Sequence, residues 1–301
     1  MAFRTLEIQG PAELHVRSGQ LTVEKETNIT LTIPLEDIST IVCFGAGIRI
    51  STMAMAQLCN NKITMTIIDE KYRPAGILTA YEGNSRQALV MKQQIELEAK
   101  RTEMIWNQII AQKIENQARV LSILGLDGSE EVLQYLSLIE EKGIDAAESG
   151  AARVYFQYLH PGLNRRTDDP INSCLNYGYS IIRISLSRAL MAGGFLLAFG
   201  LHHRSRFNAF NLADDLIEPF RPMVDLIACS VVRSNVILTK SQRRELAHVI
   251  YNACRIGNTK LYCLAAIDVV VEELRSCIAC EKDQILLPVV LPVESLEPVT
   301  E

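Results

Sequence analysis

The chain has 301 residues, 48% of them apolar and 22% charged, with a formal net charge of -5. That length carries one large or two ordinary domains, and so apolar a composition packs real cores, which excludes a disordered chain. Mild overall acidity speaks against a surface that binds nucleic acid all over, but residues 151–245 carry twelve Lys and Arg against seven Asp and Glu, so the charge has to be read by region.

Residues 1 to about 75 alternate with period two, in the pairs Leu6 and Ile8, Leu14 and Val16, Leu21 and Val23, then Ile29, Leu31 and Ile33, and later Ile63, Met65 and Ile67. Half-buried strands need that rhythm. Between the last two sets, Ser51 is placed to cap a short helix that Asn60-Asn61 closes. Tyr72-Arg73-Pro74-Ala75-Gly76 and Glu82-Gly83-Asn84-Ser85 mark a passage to a second part with helical spacing. Helices are expected over about 86–120, 130–142, 146–159, 170–200, 219–238, 240–254 and 259–284. Asp169-Pro170 supplies an N-cap with a first-turn proline, and Thr239 with Gln242 a capping box. The fold class is therefore α+β: a small, sandwich-like β domain over 1–80, an all-α domain over 81–287, and an extended tail over 288–301.

The eight cysteines stand mostly in apolar text, as buried thiols of a reducing cytoplasm do. Cys277 and Cys280 form a lone CxxC with no second ligand pair nearby, which reads as helix packing. No apolar signal region opens the chain. Its longest apolar run, Ala189 to Leu201, is 13 residues, short of the roughly 20 that a spanning helix needs, so a buried segment and no membrane association are expected.

Three places carry hard ligands. In Asp145-Ala146-Ala147-Glu148, small neighbours leave Glu148 approachable, although the two acids also read as a capping box. Gly200-Leu201-His202-His203-Arg204-Ser205-Arg206-Phe207-Asn208 offers two imidazoles pointing different ways, or a solvated helix end with cations near its carbonyls. Asn211-Leu212-Ala213-Asp214-Asp215-Leu216-Ile217-Glu218-Pro219 gathers acids at a helix start, where they complement the dipole but repel one another unless a cation sits among them. Two carboxylates with one imidazole suit Mg²⁺ or Mn²⁺ better than zinc. Arg165, Arg166, Arg204, Arg206, Arg221, Arg243 and Arg244, with Asn208, are the candidates for a phosphate-facing surface. Spacing alone thus reaches a metal-assisted phosphoryl-transfer site and stops there.

The stretch from Gly200 to Asp225, with its Leu-His-His-Arg-Ser-Arg-Phe-Asn and Asp-Asp-Leu-Ile-Glu-Pro-Phe-Arg-Pro blocks, resembles the CRISPR adaptation integrases, the Cas one family. Glu148 with Ala151-Ala152-Arg153-Val154-Tyr155-Phe156 is similar to the upstream glutamate motif of that family. So are Ile33-Pro34-Leu35-Glu36-Asp37-Ile38 and residues 69–76 in the β part, and the resemblance spans about residues 3–285. It implies a β-rich dimerisation domain before a helical catalytic one, and Glu148, His203 and Glu218 as ligands of Mg²⁺ or Mn²⁺. His202 is the fallback imidazole, and Asp215 an acid behind the ligands or an alternate to one. Many members carry aspartate where this chain has Glu218. The implied reaction joins the 3′-hydroxyl ends of a prespacer to double-stranded DNA at a CRISPR repeat, with cutting of branched DNA besides. The implied partners are a second copy of the chain, the small protein Cas two, and, since the wording is most like type II members, the effector Cas nine with accessory adaptation proteins.

Overall fold

The computed structural model describes residues 4–25, 30–69, 74–80, 85–164, 167, 169–231 and 240–293. They divide into two compact units, one of residues 1–88 with Ala192–Gly194, the other of the remainder.

The first unit contains two four-stranded sheets. One is built from β1 (Arg4–Gln9), β5 (Ile38–Phe44), β7 (Thr64–Ile68) and β8 (Pro74–Leu78) in that order, with β1, β5 and β7 parallel and β8 antiparallel. The other has the order β4 (Thr30–Pro34), β3 (Gln20–Glu24), β2 (Ala12–Arg17), β6 (Ile48–Ile50). Leu14 pairs with Val23 and Val16 with Leu21, so the period-two residues share a face. β5 is apolar almost throughout and buried along its length, as a parallel strand inside a sheet must be. Ile8, Leu14, Leu21, Ile33, Ile41 and Met65 from both sheets meet Leu58 of α1 (Thr52–Asn60) in one core. The Ser51 hydroxyl caps α1 by accepting from the Ala54 N–H at 3.2 Å. Of residues 72–76, expected to mark the passage between the parts, Pro74, Ala75 and Gly76 instead open β8; residues 70–73 and 81–84 lie outside the described residues.

The second unit is mainly helical: α2 (Gln87–Ile95), α3 (Ala99–Leu124), α4 (Ser129–Ser137), α5 (Ile139–Lys142), α6 (Ile144–Leu159), α7 (Pro170–Ala192), α8 (Asn211–Leu216), α9 (Arg221–Val231), α10 (Lys240–Ala247) and α11 (Cys263–Ile278). α3 packs against α4, α6 and α9, and Ile105, Trp106, Ile109, Ile110, Ile114 and Leu121 form its buried stripe. Asp169 caps α7, its Oδ1 accepting from the Ile171 N–H at 2.9 Å. α7 stops at Ala192 before Gly193-Gly194, so the helix expected to reach residue 200 is shorter and a long loop follows it. Residues 86–120 likewise hold two helices rather than one, separated by Glu96–Glu98. Thr239, the expected cap of α10, lies outside the described residues.

The unit is not all-α. Helices were expected through residue 254 and again from 259, yet β9 (Ala253–Ile256) and β10 (Thr259–Tyr262) form a hairpin there. The cause is local: Gly257 takes a φ of +54° at the head of a two-residue Gly-Asn turn. β11 (Val289–Val290) pairs with the other side of β9, so the segment expected as an extended tail opens with a short third strand, with Val290 buried; residues 294–301 lie outside the described residues. Among the described residues no helix is long and apolar enough to cross a membrane.

Candidate active site

α3, α6, the loop after α7, and the turn before α9 bring the site together. Lys113, on the buried stripe of α3, sets its ammonium 2.5 Å from Glu148 Oε1 of α6. The same nitrogen lies 2.5 Å from Glu218 Oε2, in the 3-10 turn Glu218–Phe220. Arg221 Nε donates to the other oxygen, Glu218 Oε1, at 2.8 Å, and its guanidinium lies 4.6 Å from the centre of the Tyr179 ring. The Glu218 side chain is only 6% exposed, so it could not stay charged without these two cations. Burial pushes its carboxyl up, but Arg221 and then Lys113 outweigh burial and lower it from 4.5 to about 2. Burial likewise pulls the Lys113 ammonium down, while Glu218 and Glu148 hold it above its ordinary value.

The loop over residues 195–210 carries no helix or strand, but it is tied throughout. The Gln94 amide brackets it, donating to Leu196 O and Phe199 O and accepting from the Leu196 N–H. Asn211 donates to Ala198 O and Ser205 O, both at 2.9 Å. Asp215, fully buried, accepts from three consecutive backbone N–H groups, Leu201 at 2.5 Å, His202 at 3.2 Å and His203 at 3.0 Å. Its Oδ1 also accepts from His203 Nδ1 at 2.7 Å. That hydrogen bond raises the His203 pKa against the lowering effect of partial burial. It also leaves Nε2 as the nitrogen able to coordinate. His202 stands differently: its ring stacks on Trp106 at 4.4 Å, and its Nε2 lies 3.7 Å from Asp145 Oδ1.

The three neighbouring acids thus part company, contrary to the mutual repulsion expected from their spacing. Asp214 pairs with Arg183 at 2.6 Å, Asp215 turns into the loop backbone, and Glu218 alone faces Glu148. Nor does Glu148 act with Asp145 as a capping box, since the N-cap of α6 is Gly143. Glu148 and Glu218 come together, and His203 is carried by Asp215. Among the described residues, however, no three His, Cys, Asp or Glu side chains are arranged to hold a metal ion as they stand. The donor chemistry suits a hard divalent cation: two carboxylates already converge on one positive charge, and His203, near enough to Glu218 for that acid to raise its pKa, offers Nε2.

Of the candidate DNA contacts, Arg204 and Arg206 are exposed. Asn208 is engaged inside the loop, donating to Asp214 Oδ2 at 2.7 Å and accepting from Arg183 and from the Phe210 N–H, both at 3.1 Å. Arg221 is taken up by Glu218 and Tyr179. Arg165, Arg166 and the side chains of Arg243 and Arg244 lie outside the described residues. The sequence reading missed Lys113. Its signal was a lysine three and four residues from Ile110 and Ile109 and seven from Trp106, inside an apolar stripe where an ammonium needs a buried partner.

Residues 6–254 match the family model described as CRISPR associated protein Cas1. A CRISPR-associated endonuclease Cas1 from Neisseria meningitidis serogroup C is 31% identical over 303 residues, covering 99% of this chain and 99% of its own. Among solved structures, a casposase bound to integration product superposes with a TM-score of 0.74 at 18% identity, covering 100% of this chain and 96% of that one. A chain of a Cas6-RT-Cas1–Cas2 complex superposes at 0.70 and 18% identity, covering 98% of this chain and 36% of its own. At such identities the two structures speak for the fold alone.

Proposed function

The chain belongs to the CRISPR-associated Cas1 family, and from that premise we propose that it is a metal-dependent integrase of CRISPR adaptation that also cuts branched DNA. The observation that carries the reading is the convergence of Glu148 and Glu218, from separate elements, on one buried cation, with His203 tethered by Asp215. A purely structural ion pair needs one acid, whereas two acids meeting at one point supply the carboxylate oxygens that a hard divalent cation takes.

In this reading Glu148, His203 and Glu218 hold Mg²⁺ or Mn²⁺, which when bound polarises the target phosphodiester and favours attack by a prespacer 3′-hydroxyl. Asp215 keeps His203 in one tautomer and one orientation. Arg204 and Arg206, exposed beside it, face the phosphates of double-stranded DNA. The chain itself needs to form no covalent intermediate. The Neisseria relative's name supports cleavage, and the casposase bound to its integration product supports joining. The Cas1–Cas2 complex among the structural neighbours supports Cas2 as a partner, and a homodimer, Cas nine and accessory adaptation proteins complete the proposed assembly.

The test is joining of a labelled prespacer to a repeat-containing plasmid, with purified Cas2 and with Mg²⁺, Mn²⁺ or EDTA. Glu148→Ala, His203→Ala and Glu218→Ala are expected to lose joining while retaining most DNA binding. Normal joining by all three sinks the assignment, and cutting without any joined product makes the protein a structure-selective nuclease instead.

A further inference from the structure

Lys113 raises a difficulty for the site just described. Its Nζ lies 2.5 Å from one oxygen of each carboxylate proposed to bind metal, and its side chain is only 10% exposed. Every charged group at that point is accounted for: Glu148 from α6, Glu218 from the turn before α9, and Arg221, which holds the far oxygen of Glu218. An ammonium is a compact point charge with three donors, and a pair of converging carboxylates suits it as it suits a small divalent ion. Mg²⁺ binds carboxylate oxygens at about 2.0–2.1 Å. An ion held by Glu148 Oε1 and Glu218 Oε2 therefore needs the volume that Nζ fills, and two cations cannot share it.

Resting on the metal-site reading above, we propose that Lys113 is an internal occupant of the cation position, competing with the divalent metal for Glu148 and Glu218. With the lysine inserted, the two acids keep their spacing. With metal bound, the ammonium withdraws. Apparent metal affinity is then the intrinsic affinity reduced by the fraction of molecules whose lysine has left the gap, so residue 113 sets how readily the site loads. The alternative is a fixed counter-ion whose removal takes this partner from Glu148, leaves Glu218 with Arg221 alone, and gains nothing for the metal.

The two accounts separate in Mn²⁺ binding to the full-length protein without DNA, followed by the electron paramagnetic resonance of free Mn²⁺. Lys113→Met keeps the length and removes the charge, and is expected to tighten Mn²⁺ binding by about tenfold or more, the scale of a competing internal state. Lys113→Arg keeps the competitor and should bind no more tightly than wild type. Equal or weaker binding by Lys113→Met overturns the proposal. Should that variant fail to fold, the wild-type protein decides: lysine-selective acylation read by peptide mass spectrometry is expected to label residue 113 more with saturating Mg²⁺ than with EDTA, and unchanged or reduced labelling overturns the proposal. Glu148→Gln separates this failure from failure of the reading beneath it. Wild-type Mn²⁺ binding that Glu148→Gln does not weaken removes the metal site and the competition together. Binding that Glu148→Gln abolishes but Lys113→Met leaves unchanged removes the competition alone.

Discussion

His203 Nδ1 donates to Asp215 Oδ1 at 2.7 Å, and the same carboxylate accepts from the backbone N–H of residues 201 to 203, so one buried acid fixes both the loop and the ring it presents. Asp215→Asn replaces an acceptor of four hydrogen bonds by a group with one acceptor oxygen. Leaving buried N–H groups unmet costs roughly 1–3 kcal/mol. A loosened imidazole weakens metal binding and activity by about 10–100-fold. Urea unfolding and the joining assay measure the two effects, and a variant that matches wild type in both contradicts the orienting role.

Acid should weaken the protein through Glu218. Its folded pKa is lowered from 4.5 to about 2, so its contribution to stability is complete above about pH 4.5 and is lost as the pH falls toward 2. His203 acts in the opposite sense. Its folded pKa is raised above 6.5, so its contribution is present below 6.5 and is lost as the pH rises through the folded value. Urea midpoints in EDTA across this range should fall on the acid side for wild type and flatten there for Glu218→Gln. An unchanged acid slope in that variant contradicts the assignment.

Gly200 is required by close approach. A Cβ built on it would stand 2.6 Å from Asp215 Oδ2 and nearer still to the His203 carbonyl oxygen, neither of them the end of a flexible chain. Gly200→Ala should cost roughly 1–3 kcal/mol by overpacking and reduce joining by displacing the histidine loop. A stable, fully active variant would show that the loop yields easily.

Arg204 and Arg206 should separate from Asn208 in their effects. Removing either arginine is expected to weaken DNA binding and flatten its logarithmic salt dependence by about 0.7–0.9 for each phosphate left without its cation. Asn208→Ala breaks bonds to Asp214, Arg183 and the Phe210 backbone instead, so it should lower stability by roughly 1 kcal/mol and leave the salt slope unchanged. Fluorescence anisotropy at several salt concentrations, with unfolding curves, distinguishes the two.

Much of the fold was legible because its signals are local. Period-two residues such as Leu14, Val16, Leu21 and Val23 found their facing partners, and Ser51 and Asp169 cap the helices they were expected to start. The hairpin of β9 and β10 went unread because Cys254 stands at helical spacing from Ala247 and Ile250, and Leu261 from Leu264 and Ala265, and only Gly257-Asn258 argued otherwise. At the site, the family resemblance pointed to Glu148, His203 and Glu218, but nothing local tells Asp214, turned outward to Arg183, from Asp215, turned inward beneath the loop. The partners of Lys113 could not be read for a related reason: they lie 35 and 105 positions away along the chain, and only the folded arrangement of α3, α6 and the Glu218 turn brings them to it.

The Asn116 side chain, fully buried in α3, gives one N–H to Pro219 O and the other to Pro288 O, at 2.8 and 2.7 Å, while its oxygen accepts from the Val290 N–H at 3.2 Å. A single amide therefore rivets β11 to the residue next to Glu218. Anything that tugs on that strand, whether a purification tag fused too close to it or a truncation ahead of residue 288, is felt at the acids some 70 residues earlier in the chain. Handling the C-terminal segment carelessly would thus look, in an assay, like damage to the active centre.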